Sequence, residues 1–301
     1  MKKYLGIDLG GTKIKVVALD EHETILFEEE HDTENGQEEG AWKGKVKYII
    51  QHYTEILAGG DPSLLVCSIS APGLADEQNN CIQHMPQRLK GIEGYCWNKD
   101  LGREIWVLND AHAATMAEYD TFYKHRTKHF LMLTLGTGVG GGAVLDGHLY
   151  QGSISRGGHF GHITVEHSGP MTMTNIPGSL EYAIGDFSVK ERTFHQFQKT
   201  SELVNAYEAG DPVAAYCWLT SVKCLAVGLT SLINAFSPEI IVLGGGIAGA
   251  GKPLFEPLAR FMSLFEWRPG GHQTAIYHAQ HGKYAGAIGA AFFGKRKHQS
   301  T

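Results

Sequence analysis

Three glycine-rich turns, each standing where an apolar run ends, limit what this chain can fold into more than any other feature of its sequence. The first, Gly10-Gly11-Thr12-Lys13, follows the run 4–9, which delivers Asp8. The second, Gly136-Thr137-Gly138, follows 131–135, and the third, Gly244-Gly245-Gly246, follows 240–243. Glycine leaves no Cβ between backbone and ligand, so a phosphate can reach the N–H groups of such a turn. A carboxylate at the strand end, as Asp8 is, suits the holding of a metal-bound water beside that phosphate. Taken singly, each turn also fits an ordinary hairpin, where glycine pairs are common. Their recurrence after strand-like runs points to ligand-binding turns of an α/β protein.

Residues 4–9, 14–19 and 23–29 read as a three-stranded meander. The spacing of Val46, Ile49, Ile50, Tyr53 and Ile56 predicts a helix over 42–57. Residues 64–70 read as a buried strand stopped by Pro72-Gly73, and 79–95 as an irregular surface loop. A strand over 105–108 then leads into a good helix-forming run over 110–118. The second half repeats the scheme, with strands 130–135 and 140–145 about a glycine turn and a hairpin signal at Asp146-Gly147. Helices are expected through 200–236, then a strand over 239–243 and a final helix over 285–293. Two related α/β lobes with a cleft between them are predicted, changing over within 117–127.

Asp110 follows a strand and opens a helix, with Asn109 beside it. A carboxylate so placed can take the proton of a hydroxyl as it attacks phosphorus. The competing role for either residue is a simple helix cap.

Composition narrows the class. A net charge of −6 offers no field attractive to nucleic acid, and the basic Lys295-Arg296-Lys297 reads as a solvated end. Met1-Lys2-Lys3 leads straight into a strand, which leaves no signal peptide, and no stretch reads as long and apolar enough to cross a membrane. The five cysteines are odd in number and lack CxxC spacing, which suits buried or incidental thiols in a reducing cytoplasm.

The order of Asp8 and its turn, Val107-Leu108-Asn109-Asp110, the turns at Gly136 and Gly244, and the small-residue run 285–291 resembles the nucleotide-binding fold of sugar kinases, actin and heat-shock chaperones. Within it the chain resembles the ROK family of bacterial sugar kinases and repressors over nearly its whole length. The resemblance implies a two-lobed, actin-like (ribonuclease H-like) α/β ATPase fold, each lobe a mixed sheet with helices. The small lobe would span 1–117, joined by the C-terminal helix 285–301, and the large lobe 118–284. By the same resemblance Gly10, Gly11, Thr12 and Lys13 form one phosphate loop and Gly136, Thr137 and Gly138 the other. Gly244, Gly245 and Gly246 would lie against the adenosine of ATP, and Asp8 would stand near a Mg2+ ion that bridges the phosphates. Asp110 is then the general base, while Asn109, His159, His162 and Glu181 orient the sugar. The expected enzyme is a cytoplasmic homodimer acting on a hexose, with glucose phosphorylated at its 6-hydroxyl as the leading choice. Fructose, mannose, allose, N-acetylated hexosamines and β-glucosides stay open. Lobe closure would exclude water from the reaction.

Departures from the family pattern are informative. ROK kinases usually carry Gly-Glu-x-Gly-His where this chain has Gly158-His159-Phe160-Gly161-His162. A neutral imidazole offers one donor and one acceptor where a carboxylate accepts twice. If His159 faces the ligand, plain glucose should bind modestly; if it turns away, the site is unchanged. The family's three zinc cysteines correspond to Thr172, Thr174 and Ser179, whose hydroxyls are poor zinc ligands, so no structural zinc is expected. His159, His162 and His167 offer a different metal set, though sixteen histidines make such clustering unsurprising. The Asn-rich sugar loop is also missing, with Gln87 or Arg88 in its place.

Three rival readings were weighed. Gly244, Gly246, Gly249 and Glu266 match the spacing of a dinucleotide turn, but too little chain follows to complete such a domain. A sugar-responsive repressor needs a helix-turn-helix ahead of the first phosphate loop, and Asp8 leaves no room for one. A non-catalytic sugar or nucleotide sensor stays open, with Asp110 arguing against it and the altered sugar loop for it.

Overall fold

Asp8 ends the central strand of the first sheet, and the register of its neighbours explains why. The computed structural model describes residues 1–33, 40–85 and 89–300. Strands β1 (Lys3–Leu9), β2 (Lys13–Leu19) and β3 (Ile25–Asp32) form the antiparallel meander. Helix α1 (Ala41–Ala58) follows, closed by Gly59 in the left-handed conformation. Then come β4 (Leu65–Ala71), a short hairpin of β5 (Leu74–Ala75) and β6 (Ile82–His84), α2 (Trp97–Leu101), β7 (Ile105–Asn109) and α3 (Asp110–Glu118). The region expected to be irregular over 79–95 thus holds β6, pinned by the Gly94 N–H donating to the Ile82 carbonyl at 2.9 Å.

The sheet order is β3-β2-β1-β4-β7. Because β1, β4 and β7 are parallel, their C-terminal ends share one edge, with Asp8 opposite Ser70 and Ala71 opposite Asn109. Ligands of open α/β sheets bind outside that edge. One face buries Trp42, Val46 and Ile49 of α1. The other buries the C-terminal helix, Ala285–Ser300, through Ala287, Ala290 and Ala291. Its approach is close: a Cβ on Gly6 would lie 1.9 Å from the Ala287 carbonyl oxygen. The first unit comprises residues 1–126, 149–157 and 281–301.

The second unit comprises residues 127–148 and 158–280. Its strands β8 (Phe130–Leu135), β9 (Val139–Leu145), β11 (Ile240–Gly244) and β12 (Ala275–His278) share a sheet with β10 (His148–Tyr150), of which it holds His148, in the order β10-β9-β8-β11-β12. Asp146 and Gly147, with φ of 53 and 81, make the tight turn that the Asp-Gly pair announces. Its helices are α4 (Leu180–Ile184), α5 (Val189–Arg192), α6 (Thr200–Glu208), α7 (Pro212–Phe236) and α8 (Lys252–Phe265).

Helix α7 corrects one sequence expectation. Its 25 residues are long and apolar enough, by length and composition, to cross a membrane. In the sequence its apolar residues are interrupted by Thr220, Ser221 and Lys223, which hides the length of the stretch. In the fold, Trp218, Val222, Leu225 and Leu229 are buried in the core of the second unit, which is the ordinary work of a central helix. Its start is set by Asp211, whose carboxylate accepts from the Val213 and Ala214 N–H groups ahead of Pro212 at the first helical position.

Candidate active site

At the strand edge of the first unit, the Asp8 side chain is 15% exposed and fully engaged. Its Oδ1 accepts from Ser70 Oγ at 2.8 Å and its Oδ2 stands 3.5 Å from Lys15 Nζ. Burial pushes the Asp8 carboxyl above its ordinary range; Lys15 and Ser70 oppose the rise, and the nearby charge of Asp110 adds to it. The start of the C-terminal helix closes over this carboxylate, since a Cβ on Gly286 would fall 2.6 Å from Asp8 Cγ.

The first glycine turn is held from behind. The Gly10 N–H donates to the Lys13 carbonyl at 3.0 Å, and Thr33 binds the Gly10 carbonyl through its hydroxyl at 2.8 Å and the Thr12 carbonyl through its N–H at 3.0 Å. Gly11 has open space where a side chain would stand, and Gly11, Thr12 and Lys13 are exposed. Lys13, read as part of the phosphate loop, forms an ion pair with Asp32 at 2.7 Å. Lys15, two residues on and on the same face, is the lysine that meets Asp8. Register opposite Asp8 decides between them.

Asn109 and Asp110 divide the two roles that the sequence left open between them. Asn109, with extended backbone, caps α3: its Oδ1 accepts from the Ala111 N–H at 2.9 Å and the His112 N–H at 3.2 Å. Its Nδ2 donates to the Gly73 carbonyl at 2.9 Å, so most of its amide is spent inside the fold. Asp110 is the first residue of the helix proper, partly exposed, with Oδ1 2.8 Å from the Ala111 nitrogen. Below it, His112 Nε2 lies 2.6 Å from the Gly157 carbonyl oxygen.

In the second unit, the Gly136-Thr137-Gly138 turn borders a cavity of about 580 Å³. Gly246, Ile247, Gly249 and Ala250 line one side of it; Thr200, Ser201, Asn205 and Glu208 of α6 line another. That volume lies within the usual range for a cofactor-sized ligand. Gly245, at φ 85, is where glycine is required: a Cβ there would fall 2.3 Å from the Leu135 carbonyl oxygen. Glu266, which a dinucleotide turn would aim at a ribose, is instead spent on the Thr274 N–H at 2.8 Å and on Arg268 at 2.9 Å. The α6 wall had no sequence signal beyond a polar face on a helix.

His162 and Glu181 come together in the same unit, with Nδ1 and Oε1 3.4 Å apart. Glu181 also borders the Gly136-Thr137-Gly138 turn, since a Cβ on Gly138 would lie 2.9 Å from its Oε2. The Glu181 carboxylate holds the His162 ring above the usual imidazole range, against burial. His159 stacks nearly parallel to His162, centroids 6.3 Å apart. Gln87 and Arg88, weighed as replacements for the sugar-loop asparagine, lie outside the described residues.

A pH dependence follows from the raised His162 value. Its stabilising effect is complete below the unfolded imidazole value of about 6.5 and is lost as pH rises through the higher folded value. The Tm gap between the wild type and Glu181→Gln should therefore be wider at acid than at alkaline pH. The gap should be small, because the His162 side chain is 39% exposed. An equal gap at both ends of the range would contradict the pairing.

The segment matching the family's zinc loop is held by hydroxyls. Thr172 and Thr174 Oγ1 are 3.0 Å apart, and Ser179 caps α4 by accepting from the Tyr182 N–H at 3.2 Å. Among the described residues, no three His, Cys, Asp or Glu side chains are grouped as a metal ion requires. Purified protein is expected to lack stoichiometric zinc and to keep its Tm in chelator. Elemental analysis finding zinc in equal amount with the chain, with unfolding on chelation, would overturn this.

Known proteins resemble this chain in sequence and fold. A family model described as the ROK family matches residues 4–297. The glucokinase of Thermotoga maritima is 29% identical over 284 residues, covering 85% of this chain and 86% of that protein. An N-acetylmannosamine kinase of Vibrio cholerae is 29% identical over 297 residues, covering 96% of this chain and 98% of that protein. The crystal structure of a ROK hexokinase from Thermus thermophilus matches with a TM-score of 0.83 at 28% identity, over 99% of this chain and 100% of that one. With a family match over nearly its whole length and the two-lobed, actin-like ATPase fold, this chain belongs to the ROK family.

Proposed function

We propose that the protein is an ATP-dependent sugar kinase that transfers the γ-phosphoryl group to a hexose hydroxyl, with glucose to glucose 6-phosphate as the leading reaction. The observation that carries this reading is the carboxylate pair at the strand edge of the first unit. Asp8 is largely buried and tethered, while Asp110 is partly exposed at the same edge, where its charge bears on Asp8. Asp110 takes the proton of the sugar hydroxyl as that oxygen attacks the γ-phosphorus, and ADP leaves. The Gly10-Gly11-Thr12 and Gly136-Thr137-Gly138 turns offer backbone donors to the phosphates, and the turn at Gly244-Gly245-Gly246 offers side-chain-free backbone to the nucleoside.

The residues fit a magnesium ion. Asp8 supplies the hard carboxylate oxygen that such an ion takes directly or through a bound water, beside the exposed Gly11-Thr12 turn. When bound, the ion neutralises phosphate charge. His162, whose ring Glu181 holds above the usual imidazole range, and Glu181 itself offer a donor and an acceptor to sugar hydroxyls, with His159 and Asn109 as further contacts. A homodimeric enzyme of the cytoplasm completes the reading. The net charge of −6 supports a small-molecule substrate over nucleic acid.

Both glucokinase and N-acetylmannosamine kinase occur among the relatives, so the test is a comparison of sugars. Values of kcat/KM for glucose, mannose, fructose, allose and the N-acetylated hexosamines should single out one, and NMR of its product should place the phosphate. Turnover of an N-acetylated sugar with none of glucose would replace the leading reaction.

A further inference from the structure

The cavity of the second unit is bounded by two elements far apart in sequence, the turn at Gly136-Thr137 and the helix α6, and one residue joins them. Asp186 donates its backbone N–H to the Gly136 carbonyl at 2.9 Å, while its Oδ1 accepts the Thr200 N–H, the first of α6, at 2.6 Å. The next residue, Phe187, donates its N–H to the Thr137 carbonyl at 3.0 Å. Asp186 lines the cavity itself.

The segment carrying it is clamped from behind. Arg192 donates to the Gly185 carbonyl at 3.0 Å and to Ser188 Oγ at 3.0 Å. A Cβ on Gly185 would fall 2.8 Å from the Thr137 carbonyl oxygen, so the chain passes directly under the turn. At the helix end, Thr200 is 4% exposed and lines the cavity, and its Oγ1 has no hydrogen-bond partner among the described residues. A buried hydroxyl of that kind is completed by a ligand or by water.

We propose that Asp186 is a positioning residue for the phosphoryl donor: by its carboxylate it fixes the α6 wall against the Gly136-Thr137 turn and so sets the affinity for a nucleoside triphosphate. The proposal rests on the nucleotide reading given above. A nucleotide spans both elements, its phosphates at the turn and its nucleoside along the wall. Fixing their separation beforehand removes an ordering cost from binding. None of the residues read as sugar contacts lies on α6.

Calorimetry with a non-hydrolysable ATP analogue and magnesium, on the full chain, tests this directly. Asp186→Ala should weaken binding about tenfold, the loss expected of a charge-assisted hydrogen bond, while KM for the sugar stays nearly unchanged. Asp186→Asn keeps the accepting oxygen and should restore most of the affinity. Thr200→Pro removes the donor side of the bond together with the hydroxyl, which Thr200→Val removes alone. Proline is accepted at a first helical position, and Lys199 before it is already extended at φ −137, ψ 151. It should match Asp186→Ala, and the double variant should be no weaker than either. If Asp186→Ala does not fold, Thr200→Pro carries the comparison. Wild-type affinity in the single variants, or losses that multiply in the double variant, overturns the proposal. So does a full loss in Thr200→Val, which keeps the N–H and removes the hydroxyl. A wild type that does not bind the analogue at all overturns the nucleotide reading itself.

Discussion

Replacing Asp110 with asparagine is expected to lower sugar phosphorylation by about 10²–10⁴-fold, the usual contribution of a general base. Tm and nucleotide affinity should stay close to those of the wild type. The clean separation comes from the geometry of α3. Asn109 accepts from the N–H groups of both Ala111 and His112, and asparagine at 110 keeps an oxygen for the Ala111 N–H, so the helix start survives the loss of charge. Asparagine matches aspartate in size but takes no proton at neutral pH. The substitution also relieves Asp8, because the nearby Asp110 charge raises its carboxyl. A folded Asp110→Asn protein with near-normal turnover would remove Asp110 from the reaction.

Gly289→Ala should have the largest effect on stability, about 3 kcal/mol or more, because overpacking against backbone has no cheap relief. A Cβ at Gly289 would fall 1.7 Å from the Ala113 carbonyl oxygen, inside any possible contact distance. The C-terminal helix would have to lift from α3, which carries Asp110, and from the sheet, whose Gly6 it meets equally closely. Denaturant titration should show a lower midpoint with an unchanged slope. The same substitution at Gly249, where a Cβ meets open space, serves as the control. Equal stability in the two variants would show that the close helix contact does not hold the first unit together.

Local chemistry made much of this fold legible. The apolar runs of β1 and β2, the apolar spacing of α1 and the Asp211-Pro212 start of α7 are each read from a few neighbouring residues. Which residue caps α3 is less legible, because Asn109 and Asp110 are both good caps and only the backbone angles at Asn109 decide. The choice of Lys15 over Lys13 beside Asp8 depends on strand register. Asp186 was invisible: its partners Gly136 and Thr200 are set by the tertiary path of the chain, and a single aspartate after a glycine carries no pattern. The closeness of Gly6 and Gly289 to their neighbours is likewise a property of packing, with no periodicity to announce it. Legibility ended where a function needs residues from distant elements.

The most direct measurement is ADP release by the purified protein with MgATP, in the presence and absence of each hexose. A sugar kinase predicts that ADP appears in equal amount with a phosphorylated sugar, that omitting the sugar reduces it to a trace, and that Asp110→Asn abolishes the sugar-dependent part. Nucleotide binding with no sugar-dependent ADP release from any hexose would contradict the kinase and leave a sensor in its place.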